Sequence, residues 1–102
     1  MSPSQGDIWW AEAEDRVRPV LVVTRDEALL ALRRIMVAPI TRTVRGIPTE
    51  VPLDAEDGMR EQCAASFDNL RVIPKSSLTS RIGTARQRRH EICAALNAVA
   101  DC

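Results

Sequence analysis

The run Val20-Leu21-Val22-Val23, introduced by Pro19 and closed by Thr24, narrows what this chain can fold into more than any other stretch. Its residues are all apolar and mostly β-branched, so it reads as a strand, and the lack of polar alternation means that both faces of that strand are covered. Around it lie shorter pieces of the same kind. "GDIWWAEA" begins after a glycine and sets Ile8 and Trp10 against Asp7 and Trp9, a first strand. "RDEALLALRR" is a brief helical connection or an irregular loop, and "RIMVAPIT" is a third strand closed by Pro39. In "RTVRGIPTEVPLD" a turn at Gly46 leads to a strand over 49–53, which Pro52 confines to an edge or a bulge. "AEDGMREQ" reads as a loop, "CAASFDNLRVIP" as one strand ended by Pro74, and "SRIGTA" as a last short strand. The tail "TARQRRHEICAALNAVADC" has no glycine or proline, puts Ile92, Leu96 and Val99 on one face and its arginines on another, and so predicts an amphipathic helix packed on a sheet. Short strands with turn signals followed by one helix predict a mainly β fold with α additions, a small barrel or strongly curved antiparallel sheet.

A chain of 102 residues fits one domain spanning residues 1–102, so a single core must also carry the site. Such a chain buries only roughly two-thirds of its unfolded surface, which favours a homodimer that covers part of the rest. No apolar run approaches the roughly 20 residues that a membrane span needs. The N-terminal segment has neither a basic n-region nor an apolar h-region, and the expectation is a cytoplasmic protein with no membrane partner. Cys63, Cys93 and Cys102 are odd in number and form no C-x-x-C pair, which reads as two core-facing thiols and a frayed terminal one. With His90 as the single histidine, no metal cluster is in view, and the expected chemistry uses no metal and no cofactor.

The formal net charge is zero, yet the charges are segregated. Arg33, Arg34, Arg42 and Arg45 form one basic block and Arg71, Lys75, Arg81, Arg86, Arg88 and Arg89 another, with Glu50, Asp54, Glu56, Asp57 and Glu61 between them. These blocks are either a positive face for a polyanion or merely solvated edges and helix faces.

Three places could carry chemistry. Arg18 stands at the lip of the apolar strand, where Pro19 holds it extended; it is either paired with Asp15 or Glu14, or a rigidly mounted guanidinium whose donor fork matches two phosphate oxygens. Thr41 ends the third strand, as a β-former or as a hydroxyl donor near that guanidinium. In "SFDNLR", Asp68 and Asn69 interrupt an apolar strand, which makes a bulge or lines a groove.

In this order, "GDIWWAE", "RPVLVVT", "VAPIT", "GIPTEVPL", "FDNLRVI" and "LTSRIGTA" with a C-terminal helix resemble the MazF/PemK family of toxin endoribonucleases over essentially the whole chain. The resemblance implies an SH3-like barrel, a homodimer, metal-independent cleavage of single-stranded RNA at short sequences, and a cognate antitoxin whose acidic tail occupies the basic groove. It maps the family's catalytic arginine and threonine onto Arg18 and Thr41, and the acidic residue some members use onto Asp68. RNA contacts are expected from Arg42, Arg45, Asn69 and Arg71 and from Trp9, which is either the exposed aromatic for base stacking or, like Trp10, an ordinary core residue. The first loop, "AEAEDRV", departs from the family in being short, acidic and free of glycine and histidine, and Ser66 stands where some members carry arginine. Two other readings share these features: a nucleic-acid-binding barrel without catalysis, and a gyrase-inhibiting toxin on the same fold.

Overall fold

The computed structural model describes residues 2–13 and 15–100. Seven strands among these form one curled antiparallel sheet in the order β4-β5-β3-β2-β1-β7, with β6 pairing β3 beside β5. In chain order the elements are β1 (Asp7–Ala13), β2 (Arg16–Val22), α1 (Asp26–Leu29), β3 (Arg34–Thr41), β4 (Glu50–Leu53), β5 (Cys63–Ser66), β6 (Arg71–Pro74), β7 (Leu78–Thr84) and α2 (Arg89–Ala100).

The apolar run of β2 is covered on both faces. Leu21 and Val23 belong to a core with Ile8, Ala38, Val51, Leu53, Phe67 and Ile92. Val20 and Val22 point the other way, into a second cluster with Trp9, Leu29, Ile35, Val37 and Ile73. The sheet therefore has two apolar layers, one under α2 and one that takes in α1. Edge strand β4 carries Pro52, as the missing N–H requires.

Four expectations need correction. The third strand does not close at Pro39 but runs on to Thr41. On its far edge β3 pairs β6 through Val37 and β5 from Ile40, so Pro39 falls between partners and its missing donor breaks no bond there. The segment 63–74 is two strands, not one: a 3-10 turn over Phe67–Asn69 steps the chain from the β5 to the β6 position along β3, with Phe67 fully buried as its pivot. On α2 the buried stripe is Ile92 and Ala95 with Leu96 partly covered, whereas Val99 is 41% exposed. Cys63 is buried and Cys93, one residue off that stripe, is exposed, so only one of the two thiols faces the core; Cys102 lies outside the described residues.

A polar network holds the start of α2 to the 3-10 turn at Ala55–Asp57. Asp57, whose side chain is wholly buried, accepts both oxygens' bonds from Arg88 Nε (3.0 and 2.9 Å), a bond from Gln87 and one from the Asp54 amide at 2.9 Å. Arg88 also reaches Asp54 at 3.3 Å and Glu91 at 3.4 Å. Desolvation alone would lower the Arg88 pKa, but the bond to Asp57 and the surrounding carboxylates raise it, so the guanidinium stays charged. Gly58, whose φ of 95 favours glycine, follows the turn and lies against Gly83 of β7, where a Cβ would run into the Asp57 carbonyl oxygen.

Candidate RNA-cleaving groove

An open groove of about 1070 Å³ runs over the end of the sheet, between the β2 and β3 ends on one side and residues 58–61 on the other. Arg18 and Thr41 both line it. The β2–β3 register pairs Leu21 with Ala38 and Val20 with Pro39, and carried two residues further it sets Arg18 opposite Thr41 on the same side of the sheet. Arg18 is exposed and, among the described residues, takes no carboxylate partner; Asp15 does not pair with it, and Glu14 lies outside the described residues. The Thr41 hydroxyl oxygen accepts the Thr43 amide at 3.1 Å, which leaves its proton free to donate into the groove.

Four more arginines line the groove: Arg42, Arg45, Arg60 and Arg71. Arg71 projects from β6 opposite Val37, and Asn69, held by a 2.9 Å bond from its Nδ2 to Ser66 Oγ, sits beside it. Arg42 and Arg45 belong to the β3–β4 loop. Arg42 makes a 3.8 Å ion pair with Glu61, with both side chains mostly in solvent, a pairing that a phosphate displaces at little cost.

The expected exposed aromatic is the wrong tryptophan. Trp9 is 5% exposed in the second core layer, where its partner across β1–β2 is Val20. Trp10, 40% exposed, lies opposite Pro19 and lines the groove. Asp68 is not among the groove residues either. It is exposed in the 3-10 turn, where its carboxylate accepts the Thr49 hydroxyl at 2.6 Å. The structure thus brings together Arg18, Thr41, Arg42, Arg45, Asn69 and Arg71, and leaves Trp9 and Asp68 outside.

Glu50 and Arg60 were not anticipated as groove residues. Nothing in the pattern marks Arg60, but Glu50 carries a signal: a charged residue starting a strand whose Val51 and Leu53 are core. Among the described residues no group of three or more His, Cys, Asp and Glu side chains converges as a metal site would require. Among the described residues no helix is long and apolar enough to cross a membrane.

The curled sheet with its terminal helix belongs to a family of toxins. Residues 4–100 match the family model described as PemK-like, MazF-like toxin of type II toxin-antitoxin system. The chain is 40% identical over 103 residues to the probable endoribonuclease MazF5 of Mycobacterium tuberculosis, an alignment covering 98% of this chain and 94% of that one. Among solved structures, Mycobacterium tuberculosis toxin MazF-mt6 superposes with a TM-score of 0.84 at 38% identity, over 93% of this chain and 96% of the other. A mycobacterial endoribonuclease solved in complex with its cognate antitoxin has the same fold, with a TM-score of 0.84 at 20% identity over 97% of this chain and 95% of that one. The chain belongs to the PemK/MazF family of type II toxin-antitoxin toxins.

Proposed function

We propose that the groove holds single-stranded RNA and that Arg18 and Thr41 cleave it at specific sequences, without a metal, by driving attack of the RNA's own 2′-OH on the adjacent phosphate. RNA cleavage comes to this chain from relatives named endoribonucleases that align over nearly its full length. The observation that carries the mechanism is an unpartnered guanidinium and a hydroxyl with a free proton in one groove, Thr41 at the end of β3 and Arg18 not at the lip of its strand, as the sequence suggested, but three residues into β2, which begins at Arg16. A 2′-OH attack needs no protein nucleophile: the O2′–P bond forms as the P–O5′ bond breaks, the 2′-OH proton passes to water, the leaving O5′ takes a proton to become the 5′-hydroxyl, and the protein's part is to aim donors at the extra negative charge of the phosphorane. Arg18 offers two donors to the nonbridging oxygens and Thr41 a third, and both are mounted on paired strands of the sheet. Arg42, Arg45, Arg71 and Asn69 hold the flanking backbone, and Trp10 takes the stacking role first given to Trp9. Asp68, tied to Thr49, is left with a part in shaping the turn. The same reading makes residues 1–102 a single toxin domain, working in the cytoplasm as a homodimer and silenced by an antitoxin with an acidic tail.

The test is incubation of the purified protein with a long transcript in EDTA. Discrete fragments ending in a 2′,3′-cyclic phosphate, with a 5′-hydroxyl downstream, support the proposal, and a 2′-O-methyl nucleotide 5′ to the cut should block cleavage while leaving binding intact. Arg18→Ala and Thr41→Val should each lower the rate by roughly 100-fold or more, the effect of removing one preorganised donor, with little change in melting temperature. Intact but shifted RNA points instead to a binding barrel. Loss of activity in EDTA, or cutting of the modified RNA at the normal rate, refutes the mechanism.

A further inference from the structure

A groove meant for a polyanion has a buried carboxylate in its wall. Glu50 is 8% exposed and lines the same groove as Arg18 and Arg45. Its position is paradoxical only if the side chain is judged by its charge. Glu50 Oε1 accepts the backbone N–H of Arg45 at 2.8 Å and that of Gly46 at 3.2 Å. Residues 43–48, which lie between β3 and β4, have no regular structure of their own. Pro48 has no N–H, Val44 is 47% exposed, and Gly46 adopts φ 68 with nothing near its Cβ position, so side-chain packing does little to hold this loop. The Glu50 amide also donates to the Ile47 carbonyl at 3.0 Å, and apart from Glu50 the loop is tied at its two ends, by the Thr43 amide bond to Thr41 and by Thr49, whose carbonyl accepts the Phe67 amide at 2.9 Å and whose hydroxyl donates to Asp68 at 2.6 Å. Glu50 thus stands at the centre of its own loop, with one amide bond from its backbone and two received by its side chain.

We infer that Glu50 is the positioning residue for Arg45: its carboxylate folds the β3–β4 loop back by two amide bonds and so presents the Arg45 guanidinium to the RNA. This rests on the reading that RNA occupies the groove. The negative charge is countered by the two N–H dipoles aimed at it, which is how a carboxylate can serve a phosphate-binding wall. Its effect is on binding, because Arg45 meets flanking backbone while Arg18 and Thr41 meet the scissile group.

The experiment compares Glu50→Gln, Glu50→Ala, Arg45→Ala and the Glu50→Ala/Arg45→Ala pair by steady-state cleavage, with salt dependence of binding measured on a 2′-O-methyl RNA. Glutamine keeps an amide oxygen that can accept both N–H groups and should leave KM and kcat within about threefold of the parent. Glu50→Ala should raise KM about tenfold at nearly constant kcat, as loss of one charged contact does. It should also lower the salt slope by about 0.7, the value for one single-strand phosphate contact. The double variant should bind no worse than Arg45→Ala alone. If Arg45→Ala weakens binding and Glu50→Ala does not, the inference fails and the groove reading stands; if Arg45→Ala binds normally, RNA does not cross this loop and both fail at that point. A Gln variant as impaired in kcat as the Ala variant makes Glu50 a proton acceptor on the substrate and overturns the inference. Should Glu50→Ala not fold, the Gln kinetics and amide exchange decide: the Arg45 and Gly46 amides must be protected in the parent protein, and rapid exchange there overturns the inference.

Discussion

Replacing Arg88 by methionine removes a guanidinium while keeping most of its aliphatic stem, so the variant isolates the polar part of the network at the start of α2. In the parent protein the Asp57 carboxylate has no solvent exposure and Arg88 only 16%, with two bonds near 3 Å between them. Breaking a buried pair by deleting one partner costs roughly 3–5 kcal/mol, because the other charge is stranded. Here Asp57 keeps the Gln87 amide and the Asp54 N–H, which soften the loss to about 2–4 kcal/mol. For a domain of this size that is a fall in Tm of about 10–25 °C. Thermal unfolding followed by far-UV circular dichroism at pH 7 measures it directly, and 1 M NaCl should change the parent Tm only slightly, since a dry pair is poorly screened. A drop below about 5 °C, or a parent protein that salt destabilises as much as the mutation does, would mean that the pair behaves like an exposed one and that the burial argument is wrong.

Other outcomes follow from single contacts. Gly83→Ala places a Cβ 2.1 Å from the Asp57 carbonyl oxygen, which backbone cannot yield, so its urea midpoint should fall by the equivalent of about 3 kcal/mol or more. Trp9→Ala should cost about 3–5 kcal/mol as a core truncation. Trp10→Ala should leave the melt nearly unchanged and weaken RNA binding by about 1–3 kcal/mol, the worth of one stacked base; equal melts for the two would undo the assignment. Burial first, then Asp57, Asp54 and Glu61, push the Cys63 thiol up, so at pH 8 its reactive thiolate is scarcer than that of an ordinary cysteine. Peptide mapping after brief maleimide treatment of the native protein should find Cys93 modified and Cys63 spared, with both modified in urea.

The fold was legible where the periodicity was unambiguous. The unbroken apolar run at 20–23 announced a strand covered on both faces, and both core layers meet on it. That same deduction, carried across one hydrogen-bonded ladder, would have buried Trp9: its partner is Val20, whose face was already known to be covered. The alternation within β1 alone suggested otherwise because it assumes one wet face, and this strand has none before Trp10. The 63–74 segment was misjudged for a different reason. Asp68 and Asn69 were visible as an interruption, but whether two polar residues bulge a strand or end it depends on what pairs beside it, and here β3 changes partner at that point. Arg18 and Thr41 were singled out from the sequence and both line the groove, although Arg18 lies three residues into β2 and not at the strand's start, because β2 begins at Arg16, ahead of the apolar run. Arg60 and Glu50 were not, since they reach the groove through loop paths that no local pattern specifies.

How a chain of zero net charge presents a positive groove is answered by where its carboxylates are engaged. Asp57 and Asp54 serve the network around Arg88, Asp7 the N-terminal turn and Arg81, Asp26 the Gln5 amide, and Glu50 the β3–β4 loop. Each of these acids is matched by a donor of the fold. Arg18, Arg45, Arg60 and Arg71 have no such match among the described residues, and all four line one groove. The protein therefore has its charge imbalance in space rather than in sum. A polyanion drawn to that groove exchanges condensed counterions for guanidinium groups, so affinity should fall with salt even though the pI is about 6.6. On the proposed function the arrangement also bears on inhibition: an acidic antitoxin tail would compete with RNA for the same unmatched arginines, so its affinity and that of RNA should weaken together when any one of the four is removed.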